Sequence, residues 1–578
     1  MNRRRFIVTS ISAAAIGTAL ATDACSTTSG LRSILPGGSD LAGIESSAGY
    51  TLVAQYATTV IDGLTFRGRT YNGKTVGPTL VTRPGQKLSV RVVNKLPKNL
   101  PLAVPRPGTE AVPADEMDAM ANAIPRGPTR PNTVIDPMNN PHNFNTTNLH
   151  THGLQTVPHL FDPIGTSNPS AEMIQIQPGQ SFQYDFPIPK DHPSGLHWYH
   201  PHSHGATDVQ VSNGMAGLIV VRGPIDEVPE IKAAREIFMV CQTLDVNPKQ
   251  TKNGVVYQRE YIPYRSAQNG GYSLGTSNTM FTTNGQGVCW IDNTNKVYKP
   301  LALPRFTVAP GEIVRWRFLN GTNYWPMFLA LPAFEAWIIA FDGVNVLESV
   351  PVDISGHGVT TITPETMFSA PAMLAHSANR IELLLQAPSK PGTYTMSTLA
   401  SNGVRFKPLP KIDLAEFVVQ GTPKSMKFPT KLPVPTREYP VIEDKDIKQR
   451  RKFTFQVGSN PSILTGVGFT INDIVYQMDQ CETAPVVGTC EEWVIENAHT
   501  EAHPFHLHEN SFQLVEINGK PLSTMEVWDT FTVPPKVGAT NGSIRIRIRF
   551  VEWYGKTVFH CHILPHEDTG MMQNILMT

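Results

Sequence analysis

The sequence predicts an all-β protein made of three copies of one sandwich or barrel unit, and three observations carry that reading. Short strand-like runs are punctuated by 49 Pro and 44 Gly in 578 residues, a turn density that suits many short strands. Helical periodicity is scarce. A segment with a turn, a β-rich apolar run and a closing Asn recurs at Val81–Asn94, at Phe306–Asn320 and, more loosely, at Gly488–Asn497. Each copy is followed by a glycine-led aromatic strand, at Gly195 to Tyr199, Gly392 to Tyr394 and Gly555 to Phe559, so one repeated unit is the economical reading.

The elements follow in order. Residues 1–25 read as an export signal: Arg3 to Arg5, then Phe6 to Val8, then a small-residue apolar stretch from Ile11 to Ala21 that is too short to span as a mature helix. The arginines before Phe6 resemble a twin-arginine signal, which places the mature chain in a bacterial periplasm or at the cell surface. Cys25 is a candidate lipid-anchor cysteine, although Thr22-Asp23-Ala24 is a poor match to a lipoprotein site. The first unit spans 45–224 and carries a polar, Pro/Asn-rich insertion at 104–148, where Ala114 to Ile124 is a plausible short helix. The second unit spans 225–421, a Pro- and Lys-rich linker covers 422–450, and the third unit spans 451–578. Gly217–Val221, Ile237–Cys241, Ile381–Leu385, Phe453–Val457 and Ile544–Val551 are the clearest strands.

Composition excludes several classes. Lys plus Arg and Asp plus Glu are both 48, so the basic excess of a nucleic-acid binder is missing. With 40% hydrophobic and 17% charged residues the chain has ample core. No apolar run in the body of the chain reaches the ~18 residues of a transmembrane helix. Export implies an oxidising compartment. Cys481 and Cys490 close a short loop and are the best disulfide candidates among the 6 cysteines; Cys241 with Cys289 has weaker support. Cys561 stands apart because of its neighbours.

Most of the 18 histidines fall in four clusters: His150-Thr-His152, His200-Pro-His202, His503-Pro-Phe-His506-Leu-His508, and His560-Cys561-His562 followed by His566 and Met571. Imidazole, thiolate and thioether together suit copper. Residues two apart on a strand share a face, and residues an odd number apart do not. On extended backbone each His-x-His pair therefore presents two rings to one place, while Cys561 faces away from His560 and His562. His503 likewise falls opposite His506 and His508. Two sites back to back result. One gathers His503, Cys561 and His566 with Met571 as a weak axial ligand, the donor set of a blue-copper centre. The other gathers eight imidazoles, too many for one ion and enough for three. Zinc, usually held by four ligands in a closed site, fits neither the ligand count nor the Met571 spacing.

These motifs resemble those of the three-domain multicopper oxidases, the class of laccases and copper-efflux oxidases. His-x-His-Gly at 150–153, Trp-Tyr-His-Pro-His at 198–202, His-Pro-x-His-Leu-His at 503–508 and His-Cys-His-x3-His-x4-Met at 560–571 cover the four family signatures. The resemblance implies three cupredoxin-like Greek-key β-sandwich domains, the second without copper ligands, and four coppers per chain. It implies type 2 ligands His150 and His506, and type 3 ligands His152, His200, His202, His508, His560 and His562. It implies a type 1 site of His503, Cys561, His566 and Met571, with Cys561, His560 and His562 carrying electrons onward to dioxygen. Protons need a nearby carboxylate. Asp162, displaced by one residue from the copper-efflux-oxidase pattern, and Glu567 are the candidates. His142, His159, His192, His197, His204, His357, His376 and His499 are expected at the surface or behind the ligands.

The reductant is the least determined partner. A shallow site beside the type 1 copper would take phenols or aromatic amines, as in laccases. Oxidation of Cu(I) or Fe(II) would call for a Met-rich segment, and Met117, Met120 and Met138 form no dense run. A monomer is expected. A copper-free binding scaffold is disfavoured because every ligand position is filled. Gly271-Tyr-Ser-Leu-Gly275 matches a hydrolase nucleophile elbow but lacks the buried strand that motif needs, and reads as a chance match in a flexible loop.

Overall fold

The computed structural model describes residues 49–99, 141–259, 261–265, 270–274, 278–292, 296–435, 439–459 and 467–578, with single positions 41, 43, 46, 139 and 437. The expected export signal with Cys25, the expected helix at Ala114 to Ile124, and Met117, Met120 and Met138 lie outside them. Among the described residues strands dominate, and the α-helices are single turns at Thr207–Val211, Pro229–Ala233 and Leu564–Asp568. No described helix is long and apolar enough to cross a membrane.

One strand topology recurs three times. Tyr50–Ile61 pairs antiparallel with Leu64–Tyr71 and parallel with Lys87–Asn94, which pairs antiparallel with Ser181–Pro187. Arg235–Thr251 repeats the pattern with Asn278–Thr283, Ile313–Asn320 and Arg380–Gln386. Ile447–Ser459 repeats it with Val467–Ile471, Cys490–Asn497 and Gly542–Arg549. A second sheet packs on each of these. Gly195–His200 and His150–His152 lie in the first, and His503–Leu507 and Gly555–Cys561 lie in the third. Strand alternation sets what is buried. In Gly542–Arg549, Ile544, Ile546 and Ile548 point into the core, while Arg545 and Arg547 reach Glu492 outside it.

The closing Asn of each repeated segment has a physical reason. Asn94, Asn320 and Asn497 are fully buried. Each donates from Nδ2 to two backbone carbonyls: Asn94 to Asn145 and Ile176, Asn320 to Trp325 and Ala375, Asn497 to Glu501 and Pro534, over 2.6–3.0 Å. Each also accepts from the amide two residues on, in Leu96, Thr322 and His499. One amide side chain thus pins the loop leaving its strand and satisfies backbone groups that burial would orphan. A second triplet escaped the sequence reading. Asn72, Asn284 and Asn472 all sit in left-handed turns at φ 54°, 51° and 55°, and each bonds an amide and a carbonyl of the neighbouring strand. Asn tolerates that conformation and supplies both hydrogen bonds.

Two expectations are corrected. Cys241, Cys289, Cys481, Cys490 and Cys561 are all free thiols. Cys241 and Cys289 lie on strands separated by Asn278–Thr283, so two strand spacings of about 4.8 Å part them, beyond disulfide reach. Cys490 opens its strand opposite Ile447 and Arg549, whereas Cys481 lies on a loop in the field of Lys556. The Gly271-Tyr-Ser-Leu segment is not loop but part of the strand Gly270–Leu274. It pairs in a hairpin with Tyr261–Arg265, without the strand-to-helix turn of a nucleophile elbow.

Candidate metal centre

Strand register assembles the eight imidazoles. His150 lies opposite His200 across one antiparallel pair, and His506 lies opposite His560 across another. His152, His202, His508 and His562 follow from the two-residue spacing or from the turn just beyond the strand. All eight are buried, at 0–1% exposure. The rings pack face to face across the two halves: His150 on His508 with centroids 3.9 Å apart, His152 on His506 at 3.7 Å. His560 Nε2 lies 3.2 Å from His202 Nε2 and 3.1 Å from His508 Nε2. Three triplets bring their ring nitrogens within 4.8 Å of one another: His150, His152 and His506; His152, His200 and His562; His202, His508 and His560.

The donor set fits metal. Nε2 of His150, His200 and His506 and both nitrogens of His562 are buried with no hydrogen-bond partner, a costly state for polar atoms without an ion to receive them. Burial, reinforced by the neighbouring histidines, holds His150, His152, His202, His506, His508 and His562 well below the usual imidazole range, so the rings are neutral and their lone pairs available.

The second site lies on the opposite face of the same strand. His503 Nδ1 is 3.2 Å and His566 Nδ1 3.9 Å from Cys561 Sγ, and all three form one triplet of candidate ligands. Met571 is buried in the same core; its carbonyl accepts from the Cys561 amide at 3.1 Å and its amide donates to the His566 carbonyl at 2.9 Å. Burial pushes the Cys561 thiol well above its ordinary range, so binding a cation here releases a proton. The Phe469 ring covers the His566 imidazole face to face, 3.5 Å between centroids.

Carboxylates surround both sites. Glu567, fully buried, lies 3.3 Å from His202 Nδ1 and 3.1 Å from His560 Nδ1. Asp162, by contrast, is exposed on its short strand. Asp529 lies 3.2 Å from His152 Nε2 and 3.6 Å from His506 Nδ1. Glu509 lies 3.5 Å from His159 Nδ1, and burial pushes it up to about 8. Asp568 accepts the amides of Gly205, Thr207 and Asp208, tying the helix Thr207–Val211 to the helix Leu564–Asp568. Glu501 lies 3.7 Å from His566 Nε2 and pairs with Arg405. Sequence reasoning missed Asp529, Glu509 and Glu501. Glu501, two residues before His503 and hence on its face in an extended chain, and Glu509, directly after His508, left a signal; Asp529 left none.

Of the eight histidines outside the ligand set, only His357 is exposed; His499 is half-buried and the rest are buried. His159 Nε2 accepts from the Thr151 amide and lies 3.3 Å from His150 Nδ1. His499 Nδ1 lies 3.3 Å from His503 Nε2.

Residues 129–225 and 443–578 match the multicopper oxidase family. Over 538 residues the chain is 24% identical to the multicopper oxidase mco of Staphylococcus aureus, covering 92% of this chain and 88% of that one. It is 23% identical to a laccase of Bacillus subtilis, covering 88% and 90%. A multicopper oxidase of Campylobacter jejuni, described as a metallo-oxidase, superposes with a TM-score of 0.63 at 20% identity over 94% of each chain, which shows a shared fold. With the four histidine motifs in place and both matched segments contributing to the buried rings, the chain carries two multicopper oxidase domains and is a copper-dependent oxidoreductase.

Proposed function

We propose that the protein holds four coppers and couples one-electron oxidation of a reductant to the reduction of dioxygen to water. His503, Cys561, His566 and Met571 hold a type 1 ion. His150 and His506 hold a type 2 ion. His152, His200 and His562 hold one type 3 ion, and His202, His508 and His560 the other. The observation that carries this reading is the tripeptide His560-Cys561-His562, whose thiol belongs to one triplet and whose imidazoles belong to two others. Copper in these sites supplies reversible one-electron chemistry and, over four ions, the electrons that dioxygen needs.

The chain's own residues do the rest. The Cys561 backbone joins the two ligand sets by single peptide links, a short covalent path. Complete burial of the eight rings excludes bulk water. Glu567, between His202 and His560, holds and delivers protons at the cluster. An exported location and a monomeric state go with this reading.

For the reductant, a phenol or aromatic amine at the half-buried His499 edge is the favoured class. A specific observation supports metal ions as a second reading: His499, Glu501 and His503 offer ligand atoms within 4.8 Å of one another. Turnover on a phenol compared with turnover on Cu(I) and Fe(II) separates the two. The four-copper reading is tested by copper quantitation with visible and EPR spectra. Wild type should carry about four coppers and a thiolate charge-transfer band. Cys561→Ser should lose that band and oxidase activity together, and retained activity would refute the electron route.

A further inference from the structure

We infer that Arg380, on a strand of the region 225–421 that carries no copper ligand, is a positioning residue for the histidine cluster and acts through Asp529. Arg380 is fully buried. Its Nη1 donates to Asp529 Oδ1 at 2.9 Å, and its Nη2 donates to Asp529 Oδ2, so the guanidinium grips the carboxylate with both arms. The same guanidinium donates to the carbonyls of Ala378 and Asp342 at 3.1 and 3.0 Å, leaving it one orientation. Asp342 completes the clamp. Its Oδ1 accepts from the Arg380 amide at 2.9 Å, and its Oδ2 accepts from the amides of Asp529 and Thr530 at 3.3 and 3.1 Å.

The held segment then addresses two rings from different parts of the chain. Asp529 Oδ1 lies 3.2 Å from His152 Nε2, and the Asp529 carbonyl lies 2.9 Å from His506 Nδ1. Thr530 Oγ1 donates to Asp529 Oδ1 and stands 3.1 Å from His152 Nε2 and 3.0 Å from His506 Nδ1. Fixing one nitrogen of an imidazole sets its tautomer and the direction of the other nitrogen. The clamp also explains Gly153, the last residue of the first histidine motif. Its φ is +85°, and a Cβ there would stand 2.2 Å from Arg380 Nη2 and 2.7 Å from Asp529 Oδ2. The region without ligands thus contributes the residue that holds two ligands in place.

This inference rests on the four-copper reading, and the test separates the two. Purified Arg380→Lys, Asp529→Asn and Arg315→Lys proteins are dialysed against a copper chelator beside wild type. Copper per chain, the type 1 and type 2 EPR signals, the blue band and the unfolding temperature of the metal-free protein are then read. Arg315 is buried in the same region but pairs with Glu382 and Asp226 instead, so its variant controls for loss of a buried ion pair. Arg380→Lys keeps the charge and loses the two-armed geometry. We expect it and Asp529→Asn to bind the cluster copper about 10- to 100-fold more weakly, with the type 2 signal lost first and the blue band intact. Arg315→Lys should match wild type. If Arg380→Lys does not fold, Asp529→Asn alone decides. Wild-type copper retention in both clamp variants overturns the inference. So does parallel loss of both copper signals with a lowered metal-free unfolding temperature, which marks a general structural role. Wild type without copper overturns the four-copper reading instead.

Discussion

The Glu567 carboxylate lies 3.1 Å from Nδ1 of His560, on the side of that ring away from its contacts with His202 and His508, with no exposure to solvent. A proton donor placed there stands against two rings of the cluster, His560 and His202. Glu567→Gln keeps the shape and removes the titratable oxygen. We expect dioxygen reduction to slow by about 100-fold with the blue band unchanged, as read by stopped-flow reoxidation. Asp162→Asn, at an exposed position, should leave the rate as it is.

Arg405 and Glu501 form a buried ion pair behind His566. Removing the cation takes a positive charge from beside the carboxylate that lies 3.7 Å from the outer nitrogen of that ring, and a more negative surrounding favours the oxidised ion. Arg405→Gln should lower the type 1 potential by about 100 mV, the Coulomb energy of a unit charge at about 6 Å in an effective dielectric of about 20. Redox titration of the blue band measures it, and an unchanged or raised potential contradicts the assignment.

The metal-free protein should be acid-sensitive. Burial lowers His159 and His192 from 6.5 to about 4. The unfolded chain therefore binds protons that the folded one refuses. Stability is intact above pH 6.5 and falls as pH drops toward 4, by about 1.4 kcal/mol per pH unit for each such ring. Denaturant unfolding of the metal-free protein between pH 7 and 4 checks the slope, and His192→Gln, which removes a ring away from the ligands, should reduce it.

The repeated asparagines should differ in consequence. Asn320→Ala orphans two carbonyls and an amide in the region 225–421, and should cost about 2–4 kcal/mol in unfolding with the blue band unchanged. Asn497→Ala makes the same deletion in the loop that leads to His503, and should cost a similar amount and also broaden or shift the blue band. Equal spectra in the two variants would show that the loop is held by other contacts.

Local chemistry made the strands, the threefold repeat, the four histidine motifs and the opposed faces of Cys561 and its neighbours readable from the chain alone. Period-two alternation and turn residues act over a few positions, and a metal-ligand motif declares itself by spacing. The carboxylates around the rings were not readable in that way. Asp529 reaches His152 across 377 positions, and Arg380 reaches Asp529 across 149, so no spacing in the sequence marks either contact. The same holds for Asp162 and Glu567, two acids beside histidine motifs that only burial separates. The cysteine pairs looked joinable by sequence distance, but the strand lying between Cys241 and Cys289 forbids that bond. Which groups touch a site, and which merely neighbour it in the chain, is settled by the packing of sheets on one another, because long-range contacts depend on the whole fold.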